Sequence, residues 1–356
     1  MGFDGKLRGR VVLANTDQQY FMDDRSTEKP FIYGVLEADV TEDARVTLGG
    51  RYEKSHDNGT GDGLPRYSTG QDLKLKRSAW YTPGWAYSDV SSQELFAKYD
   101  QDLADAWKLN VSYTKTYDRS TTDSAFLYGS PDPVTLKGAT WWGSYVNSWS
   151  DQSLLDANVS GNFSAFGREH ELLLGADYQK VTSRWRSAPG MPGLGGTTPI
   201  DVFNPQLTPI PETVSDHDFT RDYSPNTRKQ YGLYSTLRLQ LSDPLKLIVG
   251  ARAQRYKFDQ TYTTLNSQTG HWDLAAQSNH REPTKLVPYG GLVYALDEQW
   301  STYVSYSEIF KPQAQKMAGP STSGQILEAM VGKTYETGIK GELYDGALNV
   351  SAALFY

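Results

Sequence analysis

The sequence predicts an all-β fold: a transmembrane antiparallel β-barrel with long extracellular loops and short periplasmic turns. Three observations carry this. Segment after segment alternates apolar and polar residues with period two, as a strand with one greasy face requires. Connections alternate between turns of a few residues and loops of a dozen to about forty, whereas soluble domains rarely hold unstructured loops beyond ~12–15 residues. Short turns on one rim and long loops on the other suit outer-membrane barrels. The polar strand faces also carry Arg, Lys, Asp and Glu in mid-strand. A dry core would reject them; a watery or plugged lumen accepts them.

Taken in order, Arg8 to Gln19 reads as a strand, followed by a polar loop, Tyr20 to Pro30. Phe31 to Val40 is the second strand, and the turn Thr41-Glu-Asp-Ala44 leads to a third, Arg45–Lys54. There Val46, Leu48, Gly50 and Tyr52 share one face, opposite Thr47, Arg51 and Glu53. A loop over Ser55 to Ser92 precedes Gln93–Asp100, the turn Asp102-Leu-Ala-Asp105 and Trp107–Tyr117. A second long loop spans Asp118 to Asp151. Leu155, Ala157, Val159, Gly161 and Phe163 then form one face, and a turn at Ala165-Phe-Gly-Arg168 leads to Glu171–Arg184. The longest loop, Ser187 to Asn226, is rich in proline. Lys229–Leu241 alternates most clearly, with Tyr231, Leu233, Leu237 and Leu239 on one side. The turn Ser242-Asp-Pro-Leu245 joins it to Lys246–Tyr262. A loop to about Glu282 follows, then Lys285–Ala295, the turn Leu296-Asp-Glu-Gln299 and Trp300 to Lys311, where Pro312 ends the ladder. After a loop containing Gly319–Gly324, Tyr335–Leu343 and Leu348–Tyr356 flank the turn Tyr344-Asp-Gly-Ala347. This makes about thirteen strands, each long enough to cross a bilayer when tilted. Tyr52, Trp107, Tyr113, Phe163, Trp300 and Tyr344 lie near strand ends and are candidates for interfacial girdles.

Composition agrees. Of 356 residues only 38% are hydrophobic, yet 13% are aromatic, with 24 Tyr, 9 Trp and 32 Gly. That suits many one-sided strands and turns rather than a helical bundle. With no cysteine, disulfides, thiolate metal sites and a Cys nucleophile are excluded. A net charge of -7 with scattered Lys and Arg argues against a nucleic-acid partner. No apolar run approaches the ~18 residues of a membrane helix. Residues 1 to 20 lack a signal-peptide core, and no composition shift divides the chain.

Four ordered motifs then resemble one family. Tyr303-Val-Ser-Tyr-Ser-Glu-Ile-Phe-Lys-Pro-Gln313 closely resembles a barrel segment of TonB-dependent siderophore receptors. Lys333 to Phe355, Gly167-Arg-Glu-His-Glu-Leu-Leu-Leu-Gly175 and Pro288-Tyr-Gly-Gly-Leu-Val-Tyr-Ala-Leu-Asp297 are similar to others. Leu64-Pro-Arg-Tyr67 and residues 80–87 resemble the pyoverdine, coprogen and ferrioxamine branch. Such receptors close with 22 strands, so the resemblance implies that residues 1–356 are a central barrel piece. The N-terminal plug and the C-terminal strands are expected to be absent, and such a piece alone is not expected to transport.

The resemblance implies uptake of a ferric siderophore across the outer membrane, energised by the TonB–ExbB–ExbD complex through the plug. Iron would be held only through the siderophore, with no further cofactor. Outer-membrane lipid is the other partner implied. Large stiff aromatic surfaces suit such a ligand. The candidates are Trp80, Tyr81, Trp85 and Tyr87 in one loop, Trp141, Trp142 and Tyr145 (with Trp149) in the next, and Trp185 at a strand–loop junction. The competing reading is that these rings pack the loops together or sit at the outer interface. Arg184 and Arg186 flank Trp185 and read as a solvated rim pair or as anion contacts. Enzyme readings are weak. The five His form no zinc-binding spacing, and Asp216-His217-Asp218 reads as a solvated run. A passive or substrate-specific porin, a haem or cobalamin receptor, and a soluble propeller or glycosidase are the alternatives. The last would show a 40–50-residue repeat, and no such period is found.

Overall fold

The computed structural model describes residues 5–59, 63–103, 106–189, 200–204, 219–314, 317–318 and 325–356. The tracts Asp216–Asp218 and Gly319–Gly324, and the end of the turn at Asp102–Asp105, lie outside them. The strands are β1 (Leu7–Gln19), β2 (Ser26–Asp39), β3 (Ala44–Asn58), β4 (Tyr87–Asp102), β5 (Lys108–Tyr128), β6 (Thr140–Ala165), β7 (Arg168–Pro189) and β8 (Arg221–Gln240). They continue as β9 (Leu245–Leu265), β10 (Trp272–Arg281), β11 (Lys285–Ala295), β12 (Trp300–Lys311), β13 (Met317–Ala318), β14 (Gln325–Ile326), β15 (Met330–Leu343) and β16 (Leu348–Phe355). Fourteen of them form one antiparallel sheet, thirteen as a meander and β10 added to β9 beside it. Among the described residues, only β13 and β14 pair separately.

Turn chemistry sets the register at the lower rim. The two-residue turn at Phe166 and Gly167 has both φ angles positive, 54° and 73°, as a tight hairpin with the right twist demands. At the turn before β12, Asp297 accepts the Gln299 and Trp300 amides at 2.8 and 2.7 Å. Such an Asx turn satisfies donors that no ladder reaches.

Period-two alternation separates the two faces. Leu13, Ile32, Leu36, Leu48, Leu95, Leu174, Leu233 and Val304 are exposed on one. The other is ionic: Arg51 faces Glu94 at 3.5 Å, Arg238 faces Glu171 at 3.0 Å, and Arg252 clamps Asp177. Tyr234 donates to Asp156 at 2.8 Å. In a membrane the apolar face meets lipid and the ionic face lines the lumen.

The girdles follow. Near the lower rim Trp107 lies over Gly161, and Trp300 over Gly341, on the outward face. Phe163, Phe166 and Tyr344 join them there. Higher up, Tyr52, Tyr117, Tyr231 and Tyr335 are exposed outward, with ring pairs Tyr178–Tyr231 at 5.0 Å and Tyr306–Tyr335 at 5.1 Å. From Tyr231 to the end of β8 a strand tilted ~40° descends roughly 23 Å, close to the ~25 Å apolar band of such barrels.

Two expectations need correction. β5 to β9 hold 21, 26, 22, 20 and 21 residues, so they continue well above the tyrosine row. The expected loop over Asp118–Asp151 shrinks to residues 129–139 between β5 and β6. Above the bilayer the outward face meets water, so the alternation that marks a strand disappears while backbone pairing persists. The second correction is β10, expected to be loop. It pairs with the upper half of β9, whereas β11 pairs with the lower half. Pro283, which has no N–H to donate, lies in the break between them.

Candidate ligand site at the extracellular mouth

The extended β5–β9 strands build a wall above the bilayer, and its two faces differ. On the face continuous with lipid-facing Leu155 and Val159, loop residues close a small core. Leu73, Tyr81, Ala125, Leu127, Ala139, Trp141, Ile200 and Val202 are buried together, with Tyr67, Leu75 and Trp85 packed against them. Tyr81 donates its hydroxyl to the Val202 carbonyl, and burial, followed by the Asp201 charge, pushes that hydroxyl's pKa up. All four residues of the second candidate cluster therefore lie on β6 rather than in a loop, and adjacent ones take opposite faces: Trp141 in this core, Trp142 turned to the lumen side.

The remaining candidates divide in the same way. Trp80 donates to the Gly59 carbonyl at 2.6 Å and lies under Arg25, whose guanidinium carbon is 5.3 Å from the ring. Tyr87 opens β4 and stacks on His56 at 6.0 Å. Tyr145 packs on Phe219 and Ala188 in a second small core, its ring 5.7 Å from Phe219. Trp142 meets Phe126 at 5.7 Å, and by parity both face the lumen side.

Trp185 is central. It lies within β7 rather than at its junction with a loop. Its ring is 5.2 Å from Tyr223, which stacks on Tyr262 at 4.1 Å and 11°. These three residues of β7, β8 and β9 are direct cross-strand partners. A bulge makes this possible. Between Tyr223 and Asn226 the register of β8 shifts by one residue against both neighbours, at Ser224 and Pro225. Without the extra residue Tyr223 would point outward; with it, all three rings share the lumen-side face. Burial, chiefly, and then Tyr262 push the Tyr223 hydroxyl's pKa up. Sequence reasoning missed Tyr223 and Tyr262. The available signal was Pro225 within a Tyr- and Thr-rich stretch, since proline inside a strand marks an edge or a bulge.

Arg184 and Arg186 are partly exposed, but they are not a free rim pair. Both bond Asp222, Arg184 through Nε at 3.1 Å and Arg186 through Nε at 3.0 Å. Burial pushes the Asp222 carboxyl up, but the two guanidinium bonds outweigh it and hold the pKa below the usual range. Among the described residues no group of three or more His, Asp or Glu converges as a metal site would need. The arrangement offers flat aromatic surface beside hydroxyls, which suits binding rather than bond-making.

Residues 55–356 match the family model described as TonB dependent receptor-like, beta-barrel. The ferric-pyoverdine M114 receptor PbuA of Pseudomonas sp. (strain M114) is 32% identical over 356 residues, covering 99% of this chain and 42% of that receptor. The ferripyoverdine receptor of Pseudomonas aeruginosa is 28% identical over 354 residues, covering 99% of this chain and 41% of that receptor. A crystal structure of the ferripyoverdine receptor of the outer membrane of Pseudomonas aeruginosa, bound to ferripyoverdine, superposes with a TM-score of 0.85 at 28% identity. It covers 100% of this chain and 45% of its own. The chain spans less than half the length of these relatives. With its meander, its two girdles and its ionic inner face, the chain belongs to the TonB dependent receptor-like β-barrel family of the outer membrane.

Proposed function

We propose that this chain is barrel wall of a receptor that takes up a ferric siderophore of the pyoverdine class. The observation that carries this is the Trp185–Tyr223–Tyr262 ladder, three lumen-side rings above the bilayer. The relatives named as ferric-pyoverdine receptors support the ligand class. Trp142 and Trp185 are the candidates whose rings would touch ligand, joined by Tyr223 and Tyr262. Tyr81, Trp85, Trp141 and Tyr145 hold the wall that carries them, and Trp80 and Tyr87 brace its flank. Iron enters as cargo inside its chelator, so the wall supplies surface and hydroxyls rather than metal ligands. The receptor releases ligand inward using energy from TonB–ExbB–ExbD, and it catalyses no covalent step.

The test is uptake of radiolabelled ferric pyoverdine by cells whose own receptor is deleted and replaced by the receptor containing this chain. Uptake should depend on TonB, and Tyr223→Ala should weaken binding about tenfold through loss of two ring contacts. Uptake equal to that of the empty vector would reject the reading.

A further inference from the structure

One row of the outward face is almost wholly cationic. Lys115, Ser153, Lys180, Lys229, Lys257 and Arg281 are direct cross-strand partners in sequence across β5 to β10. Alternation puts them on the same face as the exposed Leu174 and Leu233, one rung above the Tyr178–Tyr231 pair. That is headgroup height, just past the aromatic girdle. Like charges directly opposite one another destabilise a sheet. The ends of the row are neutralised: Lys115 pairs with Asp151, and Arg281 with Asp259 at 2.6 Å. The middle is not. Among the described residues Lys180 and Lys229 have no ion-pair partner, and Lys257 has only the Tyr231 ring, 5.8 Å away. With strands ~4.8 Å apart, the three lysines span roughly 10 Å.

Beneath them the outward face is notched. Ala176, Leu233 and Ala253 form a row two rungs below the lysines and line a shallow apolar groove that reaches up to Tyr231 and Lys257. An apolar channel capped by unneutralised cations is complementary to an acyl chain carrying phosphate.

We propose that Lys180, Lys229 and Lys257 bind the phosphates of a phosphorylated, multi-chain glycolipid of the outer leaflet, one chain lying in the Ala176–Leu233–Ala253 groove. The row of like charge is then stable because the lipid supplies the missing anions. The site is separate from the lumen and goes beyond siderophore uptake.

Native mass spectrometry of the protein purified from outer membranes tests this, with bisphosphorylated lipid A as probe. A K180Q/K229Q/K257Q variant should bind it about a hundredfold more weakly, at about fivefold per cation near an anionic surface. K180R/K229R/K257R should bind as the parent does, and dephosphorylated lipid A should bind the parent as weakly as bisphosphorylated lipid A binds the Gln variant. Heat-modifiable gel migration reports folding; if the triple variant does not fold, Lys229→Gln alone should lose about fivefold. Undiminished binding by the Gln variant overturns the proposal. So does equal binding of dephosphorylated lipid A, which would mean an acyl-only contact. Displacement by inorganic phosphate at the probe's concentration would mean a free-anion site and overturns it too.

Discussion

The lower and upper halves of β6 share one strand and differ in almost everything else. Below, Leu155, Ala157, Val159, Gly161 and Phe163 meet lipid on one side, and Asp156 bonds Tyr234 on the other. Above, Trp141 lies at 5% exposure under a lid of loop residues, while Trp142 faces the lumen side. The solvent makes the difference. Lipid selects one apolar face and fixes a simple alternation. Water selects nothing so regular, so the upper wall is shaped by loop packing, a bulge and half-buried ion pairs.

That contrast can be broken from either side. The largest effect is expected in the upper wall. Trp141→Ala should cost about 3–5 kcal/mol locally, through lost burial and the cavity left behind. Hydrogen exchange should show the hairpin tip around Ala125 and Leu127 losing protection while the lower strands keep theirs. Equal loss throughout would mean the two halves fold as one unit.

In the lower half, Leu174→Arg places a charge on the lipid face and should destabilise by about 2–4 kcal/mol in vesicles. Urea titration of the folded gel band reads it. The same change one rung above the tyrosines, Lys180→Arg, should be neutral.

Asp222→Asn sharpens the comparison through pH. The carboxyl's pKa is lowered in the folded state. Its contribution is therefore complete above the unfolded value of about 3.9 and is lost as pH falls through the lower folded value. The Asn variant should lose about 1–2 kcal/mol at neutral pH, the arginines keeping some water contact. It should also lack that part of the acid loss. An unchanged acid limb would remove Asp222 from the account. The smallest effect is at the girdle: Tyr178→Leu should cost about 1 kcal/mol or less, losing its ring pair with Tyr231.

Much of the barrel could be read in advance because its signals are local. Alternation in Arg45–Lys54 or Lys229–Leu241 needs only neighbouring residues, and so do the turns at Ala165–Arg168 and Leu296–Gln299. The lipid face, the ionic face and the lower girdle all follow from these. The mouth was less legible. The aromatic candidates stood out by their density, but whether each turns to the lumen side or to a loop core depends on where a strand continues. Tyr81 and Trp141 went to the core, Trp142 and Trp185 to the lumen side.

The sequence by itself determined the strand periodicity, the rim turns and the two-faced wall, since each follows from side-chain spacing along one strand. Only the tertiary structure decided what lies across from what. Register joins residues far apart in the chain, and one inserted residue flips a face. The bulge at Ser224 and Pro225 put Tyr223 beside Trp185 and Tyr262. The meander set Lys180, Lys229 and Lys257 in one row, and the upper edge of β9 made a strand of Trp272–Arg281.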